Sequence, residues 1–161
     1  MSILFYKNIE DELTNLGFQI VDSNLEKPWG AYFCIDENQA QDFSNKFFDG
    51  IDIDSLKIKN KLSPKILIVK PNTRLSWQYH NRRAEIWQVY KGEVGFVQSD
   101  TNIENELIKY MPGDQIKLKQ VERHRLLGLT DYGVVAEIWK HTNENLSDED
   151  DITSIQDGFN R

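Results

Sequence analysis

From Lys65 onward the chain breaks into eight short runs of strand-like length and composition, and this rhythm restricts the fold more than any other feature of the sequence. The runs are Ile66–Val69, Leu75–His80, Glu85–Tyr90, Val94–Gln98, Glu106–Tyr110, Gln115–Leu118, Arg123–Leu129 and Val134–Trp139. Turn formers part them at Pro71-Asn72, Lys91-Gly92, Ser99-Asp100, Pro112-Gly113-Asp114 and Asp131-Tyr132-Gly133, where each residue type favours a reversal for its own backbone reason. Short strands at such regular spacing argue for an all-β sandwich or barrel, the double-sheet jelly roll being one such solution. No internal repeat or low-complexity linker interrupts the pattern, so a single domain over 1–161 is expected, with its barrel core at 63–142.

The stretch 1–62 reads as a helical extension, two helices with connecting strands. Asn8 followed by Asp11 resembles an N-cap with an acidic first turn; Ile9, Leu13 and Leu16 are spaced for one face, and Gly17 ends the helix. Asp36 is placed to cap a second helix that carries Ala40, Phe43 and Phe47 and closes at Gly50. These helices are expected to cover the barrel or to build a subunit contact. The stretch 143–161 is expected to form a tail packed on the barrel. Its acidic run from Glu144 reads as a solvated loop that leads into a packed segment, Ile152 to Arg161.

Charge and composition narrow the partners. The net charge is −7, yet Glu144, Asp148, Glu149, Asp150 and Asp151 account for five of those charges and the remainder is close to neutral. No clustered basic face of the kind that grips nucleic acid is present in the sequence. No apolar run approaches the roughly 20 residues of a bilayer span. Met1 to Glu10 lacks the basic start and apolar stretch of a signal peptide, and the single Cys34 forms no internal disulfide. A cytoplasmic protein without nucleic-acid or membrane partners is the expectation.

Two spaced patterns carry the chemistry. In the first, Asn72 is followed across five residues by Gln78, then by His80, Glu85 and Gly92; in the second, Gly113 is followed by Lys119, Val121, His124 and Gly128. The intervals resemble the two-part cupin signature, with Asn72, Lys119, Val121 and Gly128 in place of its Gly, Pro, Gly and Asn. The resemblance implies a cupin jelly-roll β-barrel, mainly β with additional N-terminal α-helices, and puts Gln78, His80, Glu85 and His124 at the metal-ligand positions. Elementary geometry agrees, because Gln78 and His80 lie two apart on a strand and leave by the same face. Two imidazoles, a carboxylate and an amide oxygen suit one divalent zinc ion, and would also accept cobalt, nickel, manganese or iron. Among the histidines His141 fits neither pattern and reads as a core residue.

Glutamine in the first ligand position narrows the resemblance to type II mannose-6-phosphate isomerases. It is carried by Lys27-Pro28-Trp29-Gly30, Val69-Lys70-Pro71, Arg74-Leu75-Ser76-Trp77-Gln78-Tyr79-His80, Arg83-Ala84-Glu85-Ile86-Trp87, His124-Arg125-Leu126, Glu149-Asp150-Asp151-Ile152 and the terminal Arg161. His80-Asn81-Arg82 stands where that family usually has three histidines, and Ile86 where it has another; neither departure removes a ligand. The resemblance implies aldose–ketose isomerisation of a phosphorylated sugar, mannose 6-phosphate/fructose 6-phosphate or a heptose phosphate, through a cis-enediol. A metal would stabilise the enediolate as a Lewis acid, and a general base would move the carbon-bound proton.

Two side chains compete for that base. Arg125 matches the family His-Arg pair, although strict alternation turns it from the face of His124 unless a bulge intervenes. Glu137 is the other candidate, against a structural role at the core rim. Five of the six arginines (Arg74, Arg82, Arg83, Arg123 and Arg125) cluster near the ligand positions, a cradle for an anion. Arg74 shares parity with the ligands, as Arg82 does if the strand continues, and these two are the expected phosphate contacts. Trp29, Trp77, Trp87 and Trp139 read as core rather than as a sugar-stacking platform. Competing readings are a non-catalytic sugar-binding cupin and an iron-dependent cupin dioxygenase. Fold-level analogy also suggests a homodimer.

Overall fold

The computed structural model describes residues 2–51, 61–142, 146–148 and 150–156. Helix α1 (Ser2–Asn15) is followed by strands β1 (Ile20–Lys27) and β2 (Gly30–Ile35), a 3-10 turn at Glu37–Gln39 and helix α2 (Ala40–Phe47). Nine further strands follow: β3 (Lys65–Val69), β4 (Trp77–Tyr79), β5 (Arg83–Lys91), β6 (Val94–Ser99), β7 (Ile108–Tyr110), β8 (Gln115–Leu118), β9 (Arg123–Gly128), β10 (Gly133–His141) and β11 (Thr153–Gln156). They form two antiparallel sheets, one of six strands in the order β1-β2-β3-β10-β5-β8 and one of five in the order β11-β4-β9-β6-β7. This is the mainly β, double-sheet architecture expected, with helices at the N-terminus. Among the described residues no helix is long and apolar enough to cross a membrane.

The middle strands of the six-stranded sheet are buried on both faces, and strand alternation sorts their side chains into two cores. In β3 and β10, Ile66, Ile68, Val134, Ala136 and Ile138 pack against α1 and α2 through Tyr6, Ile9, Leu13, Phe43 and Phe47. Their neighbours Leu67, Val69 and Val135 point the other way and meet Trp87, Val89, Phe96 and Leu126 between the sheets. A strand buried on both sides needs no polar alternation, which is why Ile66-Leu67-Ile68-Val69 reads as an unbroken apolar run and β3 is buried along its whole length, Lys65 included. Each such aliphatic side chain stabilises the fold by about 1.5–3 kcal/mol on burial.

The N-terminal third differs from its expected boundaries in instructive ways. Helix α1 begins at Ser2 rather than near Asn8, because Tyr6 extends the buried stripe of Ile9 and Leu13 by a turn; Leu16 lies outside it, 43% exposed. Gly17, at φ +93°, ends the helix with the paired bonds Gly17 N to Thr14 O and Phe18 N to Leu13 O. Asp36 accepts a bond from Asn38 N but caps the 3-10 turn, whereas α2, the helix it was expected to cap, starts after Gln39 without a side-chain cap. The connecting strands do more than connect: β2 pairs along its length with β3, from Gly30 opposite Val69 to Cys34 opposite Lys65, and so β1 and β2 belong to the main sheet.

The C-terminus carries a correction. Asp151 and Ser147 are buried, not solvated, while Asp148 and Asp150 are exposed as an acidic loop should be. Strand β11 follows and pairs with β4, Ser154 opposite Gln78. Glu144, Glu149 and residues 157–161 lie outside the described residues.

Candidate metal centre and its pocket

Three strands bring the ligand candidates together. Gln78 on β4 stands directly opposite His124 on β9, so the two side chains share the interior face of the small sheet. His80 follows β4 by one residue, and Glu85 projects from β5 on the face that also carries Trp87 and Val89. His80 Nε2 lies 3.3 Å from His124 Nε2 and 3.6 Å from Glu85 Oε1, and His124 Nε2 lies 3.4 Å from the same oxygen. A tetrahedral ion with bonds of about 2.0–2.1 Å holds its ligands ~3.3 Å apart, so these spacings fit a zinc-sized ion at the centre of the three. All three residues are buried.

Hydrogen bonds outside the triad decide how it is presented. His80 Nδ1 donates to the carbonyl of Asp151 at 2.7 Å, and His124 Nδ1 to that of Glu122 at 3.2 Å. A carbonyl only accepts, so in each neutral ring the proton sits on Nδ1 and the Nε2 lone pair faces inward. Burial, helped by Arg83, holds the His80 ring down to about 4; burial likewise lowers His124. For Glu85 burial pushes upward but is outweighed by His80, Arg83 and His124, which bring its carboxyl to about 2. Neutral imidazoles and an ionised carboxylate are the protonation states a metal requires. Arg83 and the Trp87 indole N–H, each 3.3 Å away, stand beside His80 Nε2 and Glu85 Oε1, and the two lone pairs and the carboxylate oxygen still converge on one point as a cation requires. The donor set fits a metal.

Around this centre lies a pocket of about 230 Å³. Gln78 lines it, buried, its Oε1 accepting a bond from Ser76 Oγ at 2.9 Å. Lys27, Lys65 and Arg74 also line it, as do the ion-paired Arg83 and Glu85 and the carboxyl of Glu137. Glu137 is buried across the sheet from Lys65. Burial, and after it the charge of Glu85, push its carboxyl up to about 8 against the pull of Lys65, Arg83 and the Trp139 indole N–H.

Of the expected proton-transfer and phosphate residues, the structure brings two to the pocket and keeps two away. Glu137 and Arg74 line it, the latter exposed toward the mouth. Arg125 does not: alternation along β9 carries it to the opposite face, where Nε donates to Leu75 O at 2.8 Å and the guanidinium faces the Glu104 carboxylate. No bulge in the β6–β9 pairing turns it back, so the expectation that it acts on substrate is corrected. Arg82 also lies off the pocket, paired with Asp148 at 3.3 Å, because the strand does not continue through residues 80–82 and parity with Gln78 and His80 is lost. His141 is buried as expected of a core residue, accepting from Ser147 N. Trp77, Trp87 and Trp139 are buried, while Trp29 and Trp87 line the pocket wall.

Three residues with a role here were not singled out by sequence. Arg83 donates to Glu85 Oε2 at 2.9 Å and lies 3.3 Å from His80 Nε2, its guanidinium 3.5 Å from the Trp139 ring centre; its parity with Glu85 was the available signal. Lys65 shares parity with Leu67 and faces the interior between the rings of Tyr32 and Trp139. Asp151 was read within the family-like Glu149-Asp150-Asp151-Ile152 segment and a solvated acidic run, with no role of its own.

Residues 49–157 match the family model described as "Mannose-6-phosphate isomerase C-terminal". No curated protein matches the chain. Among solved structures, the capsular polysaccharide assembling protein CapF of Staphylococcus aureus is 14% identical over 84% of this chain and 32% of its own, with a TM-score of 0.56. Drosophila melanogaster CENP-C bound to CAL1 is 12% identical over 73% of this chain and 75% of its own, with a TM-score of 0.51. A Cupin 2 conserved barrel domain protein of Salinispora arenicola is 18% identical over 52% and 66%, with a TM-score of 0.43. At such identities the first two share the fold alone, and this chain spans about a third of the length of the first.

Proposed function

Since the chain belongs to the mannose-6-phosphate isomerase C-terminal family and has the cupin fold, we propose that it is a metal-dependent aldose–ketose isomerase of phosphorylated sugars, of the mannose 6-phosphate/fructose 6-phosphate type or its heptose counterpart. The observation that carries this reading is the convergence of His80, Glu85 and His124 as inward-facing donors on the wall of a pocket that also holds Glu137. Zinc is the ion proposed, with Gln78 as the fourth protein ligand. Bound there, it would act as a Lewis acid toward the negative charge that isomerisation builds on the sugar's C1 and C2 oxygens.

The chain's own side chains supply the rest. Lys27, Lys65 and Arg74 make the pocket cationic within a chain of net charge −7, an arrangement that selects an anionic substrate and draws it inward. Arg74 at the mouth is the proposed phosphate contact. Glu137 is the proposed proton carrier: its carboxylate takes the proton from one carbon and, as the acid, returns it to the neighbour. A group poised near 8 is close to the working pH, where giving and taking a proton are balanced. Trp87, Leu67 and Ile152 complete an apolar wall that limits exchange of that proton with water.

The test is a coupled assay over sugar phosphates of five to seven carbons, run with zinc, cobalt, nickel and manganese in turn beside a metal analysis of the purified chain. Isomerisation that disappears with chelation and returns with metal is expected, as is lost metal occupancy in Gln78→Ala and His124→Ala. Metal-replete protein that isomerises no phosphosugar sinks the proposal. Sugar binding without metal would favour a binding module instead, and iron with oxygen uptake a dioxygenase.

A further inference from the structure

The tail after β10 is bound to the metal triad by a chain of specific contacts. The carbonyl of Asp151 receives the His80 Nδ1 proton at 2.7 Å. Its carboxylate receives the backbone N–H groups of Asn81 and Arg82, each at 2.9 Å, and the Ser147 hydroxyl at 2.6 Å. That carboxylate is therefore clamped on the two residues that follow His80. A second line runs to Glu85: Arg83 donates Nε to the carboxylate and anchors its other end on Ser147 Oγ at 2.9 Å and the carbonyl of Asp148 at 3.0 Å. Beyond Asp151, Ile152 lines the pocket and β11 pairs with β4 beside Gln78. Gln78, His80 and Glu85 thus all rest on the tail, whereas His124 is oriented by Glu122 within its own turn.

We propose that the tail is the outer shell of the metal centre, with Asp151 as the residue that positions His80, so that metal affinity is set by whether the tail is docked. The proposal rests on the metal reading of the triad given above. Its physical basis is that an imidazole binds metal well only when its other nitrogen is held by an acceptor in the right place, and loss of such a partner typically lowers metal affinity about 10–100-fold. The Asp151 carboxylate never faces the metal. It fixes the height of the 151 carbonyl against the ring, and the carbonyl fixes the ring. Coupling is reciprocal, so an ion that needs the docked tail must in turn hold the tail down.

The experiment measures zinc dissociation constants by chelator competition, and the absorption spectrum of the cobalt-loaded chain, for the wild type, Asp151→Ala, Asp151→Asn and Asp148→Ala. Asp151→Ala is expected to weaken zinc binding about 10–100-fold and to alter the cobalt spectrum while the circular dichroism stays that of a folded β protein. Asp151→Asn keeps one acceptor oxygen and should fall between. Asp148→Ala leaves the carbonyl used by Arg83 but removes the exposed pair with Arg82 and the bond from Asp150 N, and should weaken zinc binding by less than Asp151→Ala does. A folded Asp151→Ala with wild-type affinity and spectrum overturns the proposal. If that variant does not fold, hydrogen exchange on the wild type decides: zinc should slow the amides of Asn81, Arg82 and the β11 strand, and no change there overturns the idea. A wild-type chain that takes up no zinc at all overturns the metal reading itself, which separates the two failures.

Discussion

Glu137 and Arg83 sit on neighbouring strands of the same pocket and face opposite demands. Glu137 must exchange a proton, so Glu137→Gln should leave zinc occupancy intact and lower kcat by about 10²–10⁴-fold with a small change in KM, read by steady-state kinetics beside metal analysis. Arg83 must keep Glu85 ionised in a dry site. In the metal-free protein Arg83→Met should cost about 3–5 kcal/mol, because it removes the charged partner of a buried carboxylate and leaves it the Trp87 indole N–H; urea unfolding under chelation measures this, and added zinc should recover part of the loss. Which of these roles was legible in the sequence follows from geometry. His80, Glu85 and His124 stood out because ligand spacing survives as a pattern of intervals. Lys65 and Arg83 did not, since their meaning depends on which strand lies opposite. Arg125 misled for the complementary reason: adjacency to His124 in sequence is the opposite face in a strand.

At the scale of elements, the eight strand-like runs from Lys65 onward all correspond to strands, with Leu75–His80 shortened to Trp77–Tyr79 and Glu106–Tyr110 to Ile108–Tyr110. Ahead of β4 the pairing with β9 is interrupted rather than lost, since Arg74 bridges Leu127 and Leu75 N donates to Leu126 O, while β7 starts where its pairing with β6 begins at Ile108. β1 and β11 were the hardest to read, being polar and lying at sheet edges, where one buried face or none imposes little pattern. A test of how tightly the two sheets are joined lies at Gly128, where the signature would have asparagine. A Cβ there would stand 1.8 Å from the carbonyl oxygen of Lys70, on the loop leaving β3. Backbone has no rotamer by which to yield, so Gly128→Ala should destabilise by more than about 3 kcal/mol, seen as a lowered thermal midpoint.

For the molecule as a whole, buried titratable groups set a pH profile for the metal-free state. His80 and His141 are held down to about 4, and His124 is also lowered, all chiefly by burial. The unfolded chain takes up these protons near the ordinary histidine value of about 6.5 while the folded one refuses them. Stability therefore falls as pH drops below about 6.5 toward 4. Glu137 acts in the other direction: raised to about 8, it keeps its proton where the unfolded chain has lost it, so stability also declines as pH climbs from 4.5 toward 8. Three histidines outweigh one carboxyl on the acid side, and the carboxyl acts alone above them. Urea midpoints of chelated protein should peak just below about pH 7; a steady rise through pH 8 would show that Glu137 is ionised in the fold.

The seam between β2 and β3 bears on how this family is cut into pieces. The matched region begins at residue 49, downstream of β2, so a fragment started there would lose the hairpin that supplies Lys27, Trp29 and Tyr32 to the pocket wall. It would also bare one whole flank of β3, five residues of nearly unrelieved aliphatic strand with open hydrogen-bonding groups, a ready template for another chain to join. The smallest piece able to keep β3 paired and its pocket wall complete is therefore larger than the stretch by which its kinship is recognised.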